Sequence, residues 1–137
     1  MVIDSSGLEI LIEEQCLDLL AGTSLGRIAV TVGAVPAIFP VNFRLLDGQI
    51  LFRTGDGTKL HHSSENSVVA FEADEVDPET HEAWSVLVVG VAREVKDLDR
   101  AEALLDALPR PWAPGNRDHV IAIVPEFVSG RRIMGAG

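Results

Sequence analysis

Apolar and polar positions alternate with a period near two over much of this chain, interrupted where the period lengthens to that of a helix. The first interruption is LIEEQCLDLLAG, Leu11 to Gly22. Ile12, Cys16, Leu19 and Leu20 fall on one face, the acids fall elsewhere, and Gly22 supplies a C-terminal stop. GRIAVTVGAVPAIFPVNFRLLDGQILFRT follows, rich in β-branched and apolar residues and cut at Gly33 and at Asp47-Gly48. That pattern predicts three strands, with Asp-Gly turning a hairpin. Pro36 and Pro40 have no N–H to give a central ladder, so their strand is expected at an edge or bulged.

GTKLHHSSEN, Gly57 to Asn66, predicts a short helix ending near Asn66. SVVAFEAD and EAWSVLVVGVAREV are two further strands, the second carrying Gly90 as a bulge or close approach. DLDRAEALLDAL, Asp97 to Leu108, predicts a helix with Asp97 as N-cap and Leu98, Ala101, Leu104, Leu105 and Leu108 as its buried stripe. PRPWAPGNRD is a stiff connector, and HVIAIVPEFVSGRRI a final strand interrupted at Pro125. Six strands and three helices with hairpins dominating predict a mainly β (α+β) fold, an antiparallel barrel or sandwich with peripheral helices.

Composition narrows this picture. The 137 residues suit one domain, and no linker, repeat or low-complexity segment divides them, so residues 1–137 are read as a single unit. No apolar run has the roughly 18 residues of a membrane span, and acids stand where a secretory signal carries basic residues. A single cysteine, Cys16, has no internal disulfide partner, which points to a reducing, cytoplasmic setting. Cys16 falls on the buried helix face and reads as a small core residue. The net charge of −10 argues against a nucleic-acid partner, though not against a small anion in a local basic pocket.

Such a pocket has one candidate, LFRTGDGTKLHH, Leu51 to His62. Alternation puts Ile50, Phe52 and Thr54 on one face of its strand and Leu51 and Arg53 on the other. Gly55-Asp56-Gly57 tolerates positive φ and lets a ligand approach the backbone. With Thr58 opening a helix, its hydroxyl and the first-turn amides form an anion site, to which Lys59 adds a charge and Arg53 stands close in sequence. The competing reading is a plain turn with a solvated Lys59, and the residues alone leave both open. The spacing is not that of a Walker A loop, because Thr58 precedes Lys59.

Other constellations carry less. His61 and His62 are adjacent, so on a helix they diverge by about 100° and share no metal easily. His81 and His119 are isolated in sequence, and no metal site is expected for want of ligand spacing. No serine lies in a nucleophile-elbow context. Asp74, Glu75, Asp77 and Glu79 read as a solvated acidic turn. Trp112 is either a core plug, the reading preferred, or a planar wall against a ring-shaped ligand.

Taken in order, the leading helix, GRIAV, PVNF-x-x-x-DG-x-I-x-FRT, GTKL, the VAFE strand, WSVLVVGVAREV, PWAPG-x-RDH and the terminal SGRRI resemble the pyridoxamine 5′-phosphate oxidase-like family, in particular its short actinobacterial-type members. The resemblance runs from about Leu8 to Ile133. It implies a six-stranded antiparallel split β-barrel that forms a homodimer with FMN in clefts at the subunit interface, and a flavin-dependent oxidoreductase of unstated substrate. It implies that Phe52-Arg53-Thr54 lies along the flavin and that Thr58-Lys59 binds its phosphate. Val41 and Asn42 would border the ring, and Ser85, flanked by Trp84, would reach it from the partner subunit. Arg44, Arg131 or Arg132 could place positive charge near the ring.

Departures from the family pattern limit the transfer. VPEFVSGRRI lacks the basic and polar residues that the oxidases of pyridoxamine phosphate use for substrate. Val120 and Ala122 stand where short relatives carry an aromatic residue and an arginine. Three alternatives accompany the FMN reading: a reductase using the deazaflavin cofactor; a flavin-binding or sensing module without turnover, which the changes at Val120 and Ala122 motivate; and a split barrel that has lost ligand binding and serves as an interaction domain.

Overall fold

The computed structural model describes residues 1–112 and 119–135. Among them the chain forms eight strands and three helices. These are β1 (Val2–Ile3), β2 (Glu9–Leu11), α1 (Glu13–Ala21), β3 (Leu25–Val32), β4 (Val35–Leu46), β5 (Gln49–Thr54), α2 (Lys59–Ser64), β6 (Ser67–Val76), β7 (Ala83–Glu94), α3 (Leu98–Ala107) and β8 (His119–Ile133). The two strands beyond the expected six are β1 and β2. They are too short to show an alternation, and a turn held by Asp4, whose carboxylate accepts from the Ser6 and Leu8 amides, brings them together.

All pairings are antiparallel. They run β8–β5–β4–β3–β6–β7 and return from β7 to β8, so the sheet closes partly on itself, with β2 and β1 continuing outward from β8. The length of β8 makes this possible: β5 pairs with its beginning, β2 with its end, and β7 runs along nearly all of it. Asp47 and Gly48 both take positive φ, as a type I′ hairpin requires. Residues 35–42 of β4 pair with β3 and residues 43–46 with β5, so Pro36 and Pro40 fall where β4 has one paired neighbour. The edge expectation holds for that half only.

The β7–β8 ladder slips between Val89 and Gly90, where Gly90 lies opposite Pro125 and Val89 opposite Phe127. A Cβ at Gly90 would collide with the Val124 carbonyl, which is why glycine stands at this bulge. Pro125 does not interrupt β8 as expected; the bulge accommodates its missing N–H and the strand continues.

The faces of β5 separate two cores, as its alternation predicts. Ile50 and Phe52 join the main core with Ile28, Phe43, Phe71 and Ile121, and α1 closes that core with Cys16 and Leu20. Phe43 and Phe71 meet edge to face, ring centroids 4.7 Å apart. Leu51 faces the other way, into a smaller cluster with Val120, Ala122 and Leu108 that Leu104 and Leu105 of α3 cover. The small apolar residues at 120 and 122 thus seat α3. Two positions expected in buried stripes are instead exposed: Leu98, in the first turn of α3, and Ile12, the N-cap of α1.

Candidate functional site

β5 delivers the chain into Gly55-Asp56-Gly57, and of the two glycines only Gly57 takes a positive φ (69°). Thr58 then caps α2. Its hydroxyl accepts from the His61 amide at 3.1 Å and donates to the Gly55 carbonyl at 3.0 Å. This alters the sequence-based reading, because the proton that a bound anion would need from Thr58 is already directed to Gly55. Lys59 is exposed, and its side chain makes no hydrogen bond or ion pair with a described residue.

Beside this turn lies a cavity of about 360 Å³, within the size range of small-molecule sites. Val41, Asn42, Arg53 and Thr58, all singled out from the sequence, line it together with Phe39 and Trp112. The Asn42 side chain is the polar feature of that wall. Its carbonyl oxygen accepts the Trp112 amide N–H at 2.9 Å, whereas its NH₂ group is buried without a partner. A buried donor in that state is worth about 1–3 kcal/mol to whatever acceptor satisfies it. Trp112 is 72% exposed, so it is a wall of the cavity and not the core plug preferred from sequence. The remainder of its motif, residues 113–118, lies outside the described residues.

The other sequence-derived candidates fall elsewhere in the chain. Phe52 is buried in the main core, and Thr54 is buried with its hydroxyl unpartnered. Trp84 borders a separate cleft of about 550 Å³ with Arg132, Glu75 and Asp77. Ser85 is exposed on β7 opposite Arg131. The three arginines considered for the ring are engaged: Arg44 donates to the Ala107 carbonyl, Arg131 pairs with Asp4, and Arg132 pairs with Glu9. Cys16 is buried, and that burial pushes its thiol pKa up, as befits a core residue.

Behind the turn is a cluster that sequence spacing did not reveal. Glu94, at the end of β7, accepts from His61 Nε2 at 2.7 Å and from His119 Nδ1 at 2.9 Å. The two imidazoles stack with centroids 4.2 Å apart, and His119 Nε2 lies 3.3 Å from Asp56 Oδ1. Burial works to raise the Glu94 pKa, but the bonds from the two histidines outweigh it and hold the carboxyl below its ordinary value. The bond to Glu94 is likewise the main reason that His119 titrates above an ordinary imidazole. His119 looked isolated because Glu94, His61 and Asp56 lie 25, 58 and 63 positions away. Only the pairing of β7 and β5 with β8 brings them together.

Comparison with known proteins places this arrangement in a class. The family model described as pyridoxamine 5′-phosphate oxidase matches residues 13–132, and the chain belongs to that family. An uncharacterised protein of Mycobacterium tuberculosis, Rv0080, is 40% identical over 126 residues, covering 88% of this chain and 82% of its own. A Mycobacterium smegmatis structure described as an FAD binding protein is 38% identical, with a TM-score of 0.73 over 92% of this chain and 98% of that one. A Corynebacterium glutamicum structure, assigned provisionally as a pyridoxamine 5′-phosphate oxidase, is 36% identical. Its TM-score is 0.79 over 99% of this chain and all of its own. No helix among the described residues is long and apolar enough to cross a membrane.

Proposed function

We propose that the protein binds a flavin nucleotide in the cavity between Asn42 and Trp112 and acts as a flavin-dependent oxidoreductase. The observation that carries this reading is the buried, unpartnered Asn42 NH₂ in the wall of a cavity with a planar Trp112 side chain. A flavin ring offers what these groups lack: acceptors along one edge and a flat apolar face. Val41 and Asn42 would border the ring, with Arg53 and Thr58 toward the phosphate, and Lys59 would swing in as the phosphate's counter-charge. The bound flavin supplies the electron-transfer chemistry, while the protein orients it and excludes water.

FMN is the cofactor proposed, and FAD is the second reading, favoured by the M. smegmatis relative described as FAD binding. We also infer a homodimer. Trp84 and Ser85 do not line this cavity, so a role at the flavin requires that they come from a second copy. The exposed Leu87, Val124 and Phe127 give β7 and β8 an apolar outer surface for such a copy to cover.

The test is a titration of the purified protein with FMN, FAD and the deazaflavin cofactor, followed by flavin absorbance and fluorescence, with the molar mass measured by light scattering. Saturable FMN binding and a dimer mass support the reading. A colourless protein that binds none of the three overturns it.

A further inference from the structure

The stacked histidines behind the loop are arranged for a task that flavin binding does not use. Four residues distant in sequence converge: Asp56 from the loop, His61 from α2, Glu94 from the end of β7 and His119 from the start of β8. His61, Glu94 and His119 are mostly buried, with side chains 12%, 16% and 28% exposed. In so restricted a place each nitrogen needs an account.

Glu94 answers for one nitrogen of each ring. By accepting from His61 Nε2–H and His119 Nδ1–H it leaves lone pairs on His61 Nδ1 and, in the neutral ring, on His119 Nε2. His61 Nδ1 is buried and meets no partner. His119 Nε2 faces the Asp56 carboxylate at 3.3 Å, and two acceptors facing each other call for a positive charge between them. A proton on His119 would serve that contact but leaves His61 Nδ1 unsatisfied. A metal ion held between His119 and Asp56 has a ligand atom of His61 within reach as well.

We propose that His61, His119 and Asp56 bind a divalent transition metal of the zinc class, with Glu94 as a positioning residue that orients both imidazoles. Ligand atoms of these three residues lie within 4.8 Å of one another. The 3.3 Å between His119 and Asp56 is already roughly the separation of two ligands on a tetrahedral zinc with bonds of about 2.0–2.2 Å. Two imidazoles and a carboxylate suit Zn²⁺ or its neighbours better than Ca²⁺ or Mg²⁺, which prefer oxygen throughout. A carboxylate behind each ligating histidine is the usual means of setting tautomer and ring orientation. The carboxylates of Asp56 and Glu94 match the ion's charge. With three protein ligands the ion keeps an open position, and Asp56 ties it to the loop that leads to Thr58 and Lys59.

The experiment uses the full chain, treated with chelator and free of flavin, titrated with Zn²⁺ against a chromophoric competitor and with Co²⁺ by visible absorption. One equivalent is expected to bind, with Co²⁺ giving the intense bands of a four- or five-coordinate site. His119→Ala, His61→Ala and Asp56→Asn should each lower Zn²⁺ affinity at least tenfold, and Glu94→Gln by about 10–100-fold. His62→Ala, next to the cluster in sequence, and His81→Ala, beyond the far end of β7, both exposed, should leave it unchanged. Asp56 is 89% exposed, so Asp56→Asn decides the matter even where a histidine variant fails to fold. Absence of stoichiometric binding overturns the proposal. So does binding that Asp56→Asn leaves intact, or that His62→Ala weakens as much as His119→Ala does. Because no flavin is present, neither result bears on the cavity.

Discussion

The two sides of α2 are built from different materials. Thr58 and Leu60 face the cavity, where apolar walls surround one amide, one guanidinium and one hydroxyl. His61 faces the other way, into a knot of imidazoles and carboxylates whose bonds are short and nearly all internal. The cavity side holds polar capacity in reserve, chiefly the Asn42 NH₂; the cluster side has committed its capacity to itself, apart from His61 Nδ1. In the metal-free protein, substitutions on the first side should therefore register in flavin affinity, and those on the second in stability.

The largest expected effect is on the cavity side. Lys59→Ala should weaken FMN binding by about 1.5–3 kcal/mol, the range for a hydrogen bond to a charged group, while unfolding shifts by no more than about 0.5 kcal/mol. Fluorescence titration and urea denaturation on the same sample check both halves, and an unchanged affinity would put the phosphate elsewhere. Glu94→Ala should do the reverse. It strips two mostly buried N–H groups of their acceptor and should destabilise the fold by about 1–3 kcal/mol by chemical denaturation, with little change in FMN affinity. Asn42→Ala comes next. Losing one neutral hydrogen bond to the ring should weaken FMN by about 0.5–1.5 kcal/mol, and a fall in stability with no fall in affinity would assign Asn42 to its bond with Trp112 alone.

The smallest expected effect is in pH dependence, and a second charged group sharpens it. In the metal-free protein His119 titrates above 6.5, so its contribution to stability is complete below that pH and is lost as pH rises through the folded value. Glu94 titrates below 4.5, so its contribution holds above that pH and is lost as pH falls through the folded value. Between β3 and β6, Glu72 and Asp74 share one cation, Arg27, at 3.2 and 3.6 Å. Burial, then the neighbouring Asp74, pushes Glu72 up to about 7. A raised carboxyl favours the folded state when protonated, so Glu72 makes stability fall as pH climbs from 4.5 through 7. Glu72→Gln should flatten that portion of the profile and His119→Asn the portion above 6.5, measured by urea unfolding at a series of pH values. A profile that neither variant changes would show that the two clusters do not set it.

Much of this protein was legible in order along the chain, because local rules wrote it there. Asp47-Gly48 specified a hairpin through positive φ, Asp97 capped α3 through its carboxylate, and the alternation of Ile50 to Thr54 assigned two faces to β5 before either core was visible. The family resemblance carried by PVNF and FRT, and not a local rule, marked Val41 and Asn42, and with Arg53 and Thr58 they are assembled by the fold around one cavity. Tertiary structure alone decided the rest. It sent the Thr58 hydroxyl to Gly55, turned Trp112 outward as a wall, placed Val120 and Ala122 under α3, and kept β8 unbroken through Pro125 by slipping the register at Gly90. Above all it joined His61 to His119. The reason is that an alternation or a cap acts over a few residues, whereas a shared carboxylate depends on which strand lies beside which, and closing the sheet onto β8 determines that.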